Sequence, residues 1–462
     1  SWRDGGRTLH LNLRKGVRFS DGSAFTAHDV AHTFERIMDP SIKSPLADAF
    51  RSGKGGVVAK VSGLYAVSLT FPATLPGLER LLDQVPILCR TSNHPEKAVL
   101  GPFVVQSQAA GTHVTLARNP NFWKKDAAGR ALPYLSAIRL HVQSNRDLEA
   151  LRFRRGELDM IRGLDPELFE QLKTSTRSTV LELGAGFDSE MIWFNQVQAA
   201  PIPPHRKAWF ASQNFRKAVS VAVNRNDMVN LVFRGYAEAA AGPYTSANRA
   251  FHNPQVKADS LSLTEARRLL SSAGFHWQGS DLYDSSGNRV EFSIVTNAGN
   301  KIRQRMAAMI QQDLRAIGMK VNVVPLDFPS LIERITRTYA YEACLLGLVN
   351  VDSDPVGLMN VLMSSGANHQ WNPKQLTPQT PWEAEIDKLM QAQAATVDMR
   401  KRRASFFRVQ EILAEQVPFV YLVSHSGLAA AKPNLRGLAP AAMRPHLLWN
   451  VEHLRFEGGD VQ

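Results

Sequence analysis

A chain of 462 residues with 44% hydrophobic and 21% charged residues is long enough for two or three domains with sizeable cores. Its longest apolar runs, such as Val417 to Val423, are far shorter than the ~20 residues a membrane-spanning helix needs, and the polar start Ser1-Trp2-Arg3-Asp4-Gly5 is no signal peptide, which leaves the compartment open. Lys and Arg outnumber Asp and Glu by 54 to 42, a net +12, but they are spread along the chain. The densest cluster, Arg400 to Arg403, reads as the solvated face of a helix, and no zinc-finger, basic-zipper or RNA-binding aromatic pattern accompanies it; nucleic acid is not an expected partner.

Leu9, Leu11, Leu13, Val17 and Phe19 share one parity and polar residues the other, the period of a strand with one buried face. Ser20 to Ser23 predicts a tight turn around Gly22. Thr26 and Asp29 form a capping-box pattern ahead of Val30, Phe34 and Ile37 at helical spacing, and Asp39-Pro40 ends that helix. The glycine-rich run Arg51 to Gly56 lacks phosphate-loop spacing. Val57 to Phe71 reads as two short strands, Leu78 to Leu82 as a short helix, and Gly101 to Arg118 as a strand pair. A strand at Ile138 to Val142 and a helix at Leu148 to Arg155, closed by Gly156, follow. Gly156-Glu157-Leu158-Asp159 offers two carboxylates but no third ligand or nucleophile, so a turn into a strand is the better reading. Asp165-Pro166-Glu167 is a strong helix start.

Met191 to Asn195 is a strand carrying Trp193 and Phe194, and helices follow at about Phe215 and Met228. A domain switch is expected in the Ala-, Gly- and Pro-rich run Ala237 to Pro254. Beyond it, a capped helix at Ser262 is followed by strand Val290 to Thr296, helix Lys301 to Ile317 and strand Lys320 to Pro325. That β-α-β unit implies parallel strands and an α/β lobe. Its Met306 and Met309 belong to an apolar stripe, not a metal box. A helix from Ser330 to Thr338 and a strand from Tyr341 to Leu348 extend the lobe. Enzyme motifs are absent: there is no H-E-x-x-H, G-x-S-x-G or G-x-G-x-x-G after a strand, and the neighbours Ser424, His425 and Ser426 make no triad.

Several of these segments together resemble one family. Leu9 to Val30 is similar to F-x-L-R-x-G-V-x-F-x-D-G-x-x-x-T-A-x-D-V, Arg118 to Trp123 to R-N-P-x-[YF]-W, Arg155 to Asp159 to x-G-E-x-D, Phe215 to Arg225 to R-x-A-[IVL]-x-x-A-[IV]-[DN]-R, and Ala266 to Phe275 to A-x-x-L-L-x-x-A-G-[FW]. On these ordered motifs the chain resembles the family 5 extracellular solute-binding proteins, the peptide- and nickel-type receptors of ABC importers. The resemblance implies a two-lobed α/β periplasmic binding protein-like fold of the class II type with an extra small α+β domain. Residues 1–115 would be the small domain, 116–239 with 430–462 the first lobe, and 240–429 the second; the family's first strands and any export signal would precede Ser1. It further implies a monomeric, periplasmic or otherwise extracytoplasmic receptor, soluble or lipid-anchored, that is not an enzyme and needs no cofactor. Such a receptor closes about a hinge on a peptide and delivers it to a membrane permease. The alternatives are a nickel chelate, haem, sugar or opine as solute, or a hydrolase on the same fold. Cys89 and Cys344 would lie in different domains, and free thiols are expected.

The ligand chemistry is expected at a late loop. In peptide-binding members of the family this loop reads like D-[YN]-x-[DE]-P, and its first Asp pairs with the ligand's α-ammonium, because a buried ammonium without an anion is strongly disfavoured. Here Asn350-Val351-Asp352-Ser353-Asp354-Pro355 has Val351 at that position and Asp352 next. Either Asp352 substitutes, or the solute lacks the amine, or Asp352 and Asp354 only cap turns. Trp371 and Asn372 would add an apolar wall and an amide, with Trp193 and Asn195 facing them from the other lobe. His369 has no spaced partner and reads as a polar loop residue. Asn350, Asp352, Asp354, Trp193, Asn195, Trp371 and Asn372 are thus the candidate ligand residues.

Overall fold

The opening period-two stretch makes a strand shorter than its pattern. In the computed structural model, which describes residues 1–458 apart from 43, 45, 53–54, 73–81, 144–145, 175–177 and 350–351, β1 (Trp2–Arg3) pairs with β2 (Thr8–Asn12). Val17 and Phe19 are buried as expected but lie in a loop, because the turn at Ser20 to Ser23 leaves only an isolated bridge between Arg18 and Ala24. The capping box forms: Asp29 Oδ2 accepts from the Thr26 amide at 2.8 Å, and α1 (Ala27–Met38) follows. β3 (Val58–Gly63) and β4 (Ala66–Thr70) complete an antiparallel sheet in the order β1-β2-β4-β3, with Leu9 opposite Leu69. Val30, Phe34 and Ile37 of α1 pack on this sheet with Phe50, Val67 and Phe71 to form the core of the small domain. The helix expected at Leu78 to Leu82 lies largely outside the described residues.

β5 (Phe103–Ala109), β6 (His113–Arg118) and β7 (Ala137–His141) form one antiparallel sheet, so the boundary expected at residue 115 falls inside a strand. α2 (Arg146–Arg154), β8 (Met160–Arg162), α3 (Pro166–Lys173) and β9 (Thr179–Ala185) then build the first lobe. Asp165 caps α3 by accepting from the Leu168 amide at 2.8 Å, with Pro166 in the first turn as its fixed φ favours. The lobe's core gathers Phe153, Ile161, Phe169 and Leu172 with Leu428 and Ala430 from the far end of the chain.

The second lobe starts earlier than expected. β10 (Ser189–Phe194) and α4 (Gln213–Ala222) pack Ile192, Phe194 and Phe215 against Phe292, Ile294, Met306 and Leu345 in one core, so residues 189–239 do not belong with the first lobe. The reason is pairing: β10 lies beside a strand of the second lobe along its whole length. α5 (Leu263–Ser272) covers this core, and β11 (Glu291–Asn297), α6 (Lys301–Arg315) and β12 (Lys320–Leu326) form the anticipated β-α-β unit, β11 and β12 being parallel with Phe292 opposite Val321. β13 (Ala343–Leu348), α7 (Pro381–Ala394), α8 (Met399–Gln416) and β14 (Phe419–Ala431) complete it. The large sheet runs β8-β14-β10-β13-β11-β12, with β9 and the short strand Ala237–Ala239 also on β14.

β14 is therefore shared. Phe419 to Val423 pairs with β10 in the second lobe, and Ser426 to Ala431 pairs with β8 and β9 in the first. The lobe boundary falls near Ser424, not at residue 430. Cys89 and Cys344 are buried, free thiols in separate cores.

Candidate ligand-binding cleft

The two lobes are joined where the segment between β9 and β10 crosses β14. The carbonyl of Gly186 accepts from the hydroxyls of Thr245 at 2.6 Å and Ser424 at 3.2 Å. A Cβ on Gly186 would lie 2.5 Å from the His425 carbonyl oxygen, so only glycine lets the backbones approach this closely. Gly186→Ala is expected to force the crossing strands apart and to destabilise the fold by about 1–3 kcal/mol, measurable by chemical denaturation.

Beside this crossing, a cavity of about 1200 Å³ opens between the lobes. The first lobe contributes α2, the end of β8, the start of α3 and the loop bearing Arg444 and His446; the second contributes the end of β11 and the start of α6. The lining is thus drawn from strand ends and helix starts, where main-chain dipoles and loop side chains converge. Leu151, Phe187 and Phe233 give it apolar surface.

Charges dominate the rest of the lining. The cations are Arg146, Arg154, Arg162, Lys301, Arg305 and Arg444; the carboxylates are Asp147, Asp165, Glu167, Asp188 and Glu190. Two of the ion pairs cross from lobe to lobe, Lys301 to Asp147 at 3.0 Å and Arg305 to Glu167 at 3.7 Å. Arg444 pairs with Asp188 at 2.9 Å. Glu190 is almost buried and is held by both Nε and Nη2 of Arg303, at 2.8 and 2.9 Å. Asp165 is committed to capping α3.

None of the described candidate ligand residues from the sequence lines this cavity. Trp193 is fully buried in the second lobe's core, where its indole donates to the Tyr341 hydroxyl at 3.1 Å. Asn195 is equally buried, its amide donating to the carbonyls of Tyr339 and Tyr341. Trp371 donates to Glu383 at 3.0 Å and Asn372 to Gln379 at 2.9 Å. Each makes these hydrogen bonds inside the protein, as structural groups do. Asp354 caps the turn Pro355–Leu358 and also pairs with Arg402, and Asp352 accepts from the Asp354 amide at 2.9 Å. Asn350 lies outside the described residues.

Two further expectations change. His369 lies in a loop as read, but it is fully buried and does have a partner, its Nε2 standing 3.2 Å from Glu383. Arg402, within the supposedly solvated basic cluster, is buried as well. Arg216 is buried in the core, where its guanidinium donates to the carbonyls of Phe210, Ala211, Gln416 and Val417, at the negative ends of two helices, and to no carboxylate among the described residues. Glu157 and Asp159 make ion pairs with Arg152 and Lys432 and do not converge on a site, as the turn reading holds. Among the described residues no group of three or more His, Cys, Asp or Glu is placed to hold a metal, and no helix is long and apolar enough to cross a membrane.

The residues that do line the cavity carried a weaker signal. Asn300 and Asp165 read as helix starts, and the rule that open α/β sheets bind ligands beyond the carboxyl ends of their strands would have pointed to Asn297–Lys301 and Arg162–Glu167.

Comparison with known proteins gives the same architecture a family. The family model for bacterial extracellular solute-binding proteins, family 5 (Middle), matches residues 1–370. The oligopeptide-binding protein AppA of Bacillus subtilis is 23% identical over 468 residues, covering 97% of this chain and 81% of its own. The structure of AppA from Bacillus subtilis in complex with a nonapeptide superposes with a TM-score of 0.78 at 20% identity, over 99% of this chain and 88% of that one. NikA from Brucella suis in complex with Fe(III)-EDTA superposes with a TM-score of 0.82, also at 20% identity, over 99% and 90%. The fold, the hinge between two lobes and the family match agree, and the chain belongs to the family 5 extracellular solute-binding proteins, the extracytoplasmic receptors of ABC importers.

Proposed function

We propose that this receptor captures a peptide-type solute in the cavity between its lobes, closes on it as a monomer and presents the closed form to a membrane permease, with no bond made or broken. The observation that carries this reading is the cavity itself: at about 1200 Å³ it exceeds the roughly 300–1,000 Å³ of ordinary small-molecule sites and offers both apolar and charged lining. It spans lobes that meet at one crossing of strands, the arrangement hinge closure requires. Calorimetry and thermal-shift measurements with di- to hexapeptides test it. Binding of nickel chelates, haem, sugars or opines with silence from every peptide would overturn it.

The ion pairs of Lys301 and Arg305 across the cleft favour the closed arrangement. The double variant Lys301→Glu, Arg305→Glu places like charges opposite Asp147 and Glu167, and its radius of gyration in small-angle scattering is expected to exceed that of the parent without ligand. The pairs are exposed, so the difference should shrink in high salt.

A further inference from the structure

We infer that the solute is a net anion bearing a carboxylate-type group, recognised by Arg162 and Arg154; this rests on the interlobe cavity being the solute site. The inference comes from asking which charges in the lining are already committed. Each carboxylate there has a partner: Asp147 has Lys301, Glu167 has Arg305, Asp188 has Arg444, Glu190 has Arg303, and Asp165 caps a helix. A cationic group entering the cavity therefore finds no anion that is not already satisfied.

The cations are not balanced in the same way. Arg154 donates to the neutral Gln171 Oε1 at 2.6 Å and has no carboxylate partner among the described residues. Arg162, the last residue of β8, has no side-chain partner among the described residues. Arg146 pairs with Glu149 but also lies against this strand end, its Nη1 3.4 Å from the Arg162 carbonyl and its Nη2 3.5 Å from where a Cβ on Gly163 would stand.

From the opposite wall the start of α6 contributes a field of the same sign. This helix has fifteen residues, and Asn297 to Ile302 at its N-terminal end line the cavity. Its main-chain dipole adds partial positive charge on the side facing Arg162's lobe. A guanidinium left without a partner in a partly enclosed site attracts an anion more strongly than one in open water, and the same field rejects an ammonium. Leu151, Phe187 and Phe233 would take the apolar body of the solute. An acidic or N-acylated peptide and a sugar acid share this chemistry.

Calorimetry with N-acetyl-Ala-Ala-Glu, unmodified Ala-Ala-Ala, the cationic amide of Ala-Ala-Lys, and glucuronate separates the possibilities. The acetylated acidic peptide or glucuronate is expected to bind most tightly, which of the two telling peptide from sugar acid, and the cationic amide most weakly. Arg162→Ala should weaken the anionic probe about tenfold or more and flatten the salt dependence of its affinity, with Arg162→Lys recovering part of the loss. Arg162 is exposed, so circular dichroism of the variants should match the parent. Preferential binding of the cationic amide, or an anionic affinity indifferent to Arg162→Ala, would overturn the inference while leaving a peptide receptor intact. Binding of glucuronate alone would sustain it and overturn the peptide reading; silence from every probe would overturn both.

Discussion

Arg402→Met is expected to destabilise the protein by about 3–5 kcal/mol, because it leaves the Asp354 carboxylate buried without its counter-charge. Both residues are only 3% exposed. The guanidinium meets Asp354 in a bidentate arrangement, Nη1 to Oδ2 at 2.9 Å and Nη2 to Oδ1 at 2.5 Å, and donates further to the carbonyl and side chain of Gln393. Its flat face lies 5.4 Å from the Phe251 ring. Asp354 in turn caps the turn that carries Leu358 into the same core, so losing the pair should loosen the turn as well. The double variant Asp354→Asn, Arg402→Met removes both charges and should cost clearly less than the single one. Urea unfolding followed by tryptophan fluorescence measures the difference. A single-variant cost below about 1 kcal/mol would place the pair in the class of solvated surface bridges and refute its burial.

Glu383→Gln should cost about 3 kcal/mol at neutral pH, and the cost should fade in acid. Burial alone would push this carboxyl upward, but hydrogen bonds from His369, Gln375, Thr380 and Trp371 outweigh it and hold the pKa at about 2, against the usual 4.5. Oε1 receives Trp371 at 3.0 Å and Gln375 at 2.8 Å; Oε2 receives the amide and hydroxyl of Thr380 at 3.0 and 2.7 Å. A carboxyl with a lowered folded-state pKa contributes its full stability above the unfolded value near 4.5 and loses it as the pH falls toward 2. The stability difference between parent and variant, measured from neutral pH down into acid, should therefore be constant above about pH 5 and shrink below it. A difference that stays flat down to pH 3 would mean that the ionised form is not what the four donors hold.

These two clusters show where sequence reading stopped. Thr26 with Asp29, Asp165 with Pro166 and Ser262 with Glu265 were legible because the partners sit within three residues and the chemistry is set by the backbone between them. Asp354 and Arg402 are 48 positions apart, and each looks like an ordinary polar residue beside its own neighbours. The aromatic and amide residues Trp193, Asn195 and Trp371 are equipped for a ligand in composition, and the same equipment serves a buried structural network. Composition cannot tell these uses apart; only the side chain's depth can.

The sequence by itself determined the family, the parallel β11–α6–β12 unit, the capped helices and the absence of an enzyme motif, since each follows from local periodicity, spacing or hydrogen bonds across a few residues. Only the tertiary structure decided which lobe owns residues 189–239, where β14 passes between lobes, and which charges face the cavity. Those outcomes depend on pairings between strands and ion pairs more than a hundred residues apart, and a charge is available to a solute only if folding has left it without a partner.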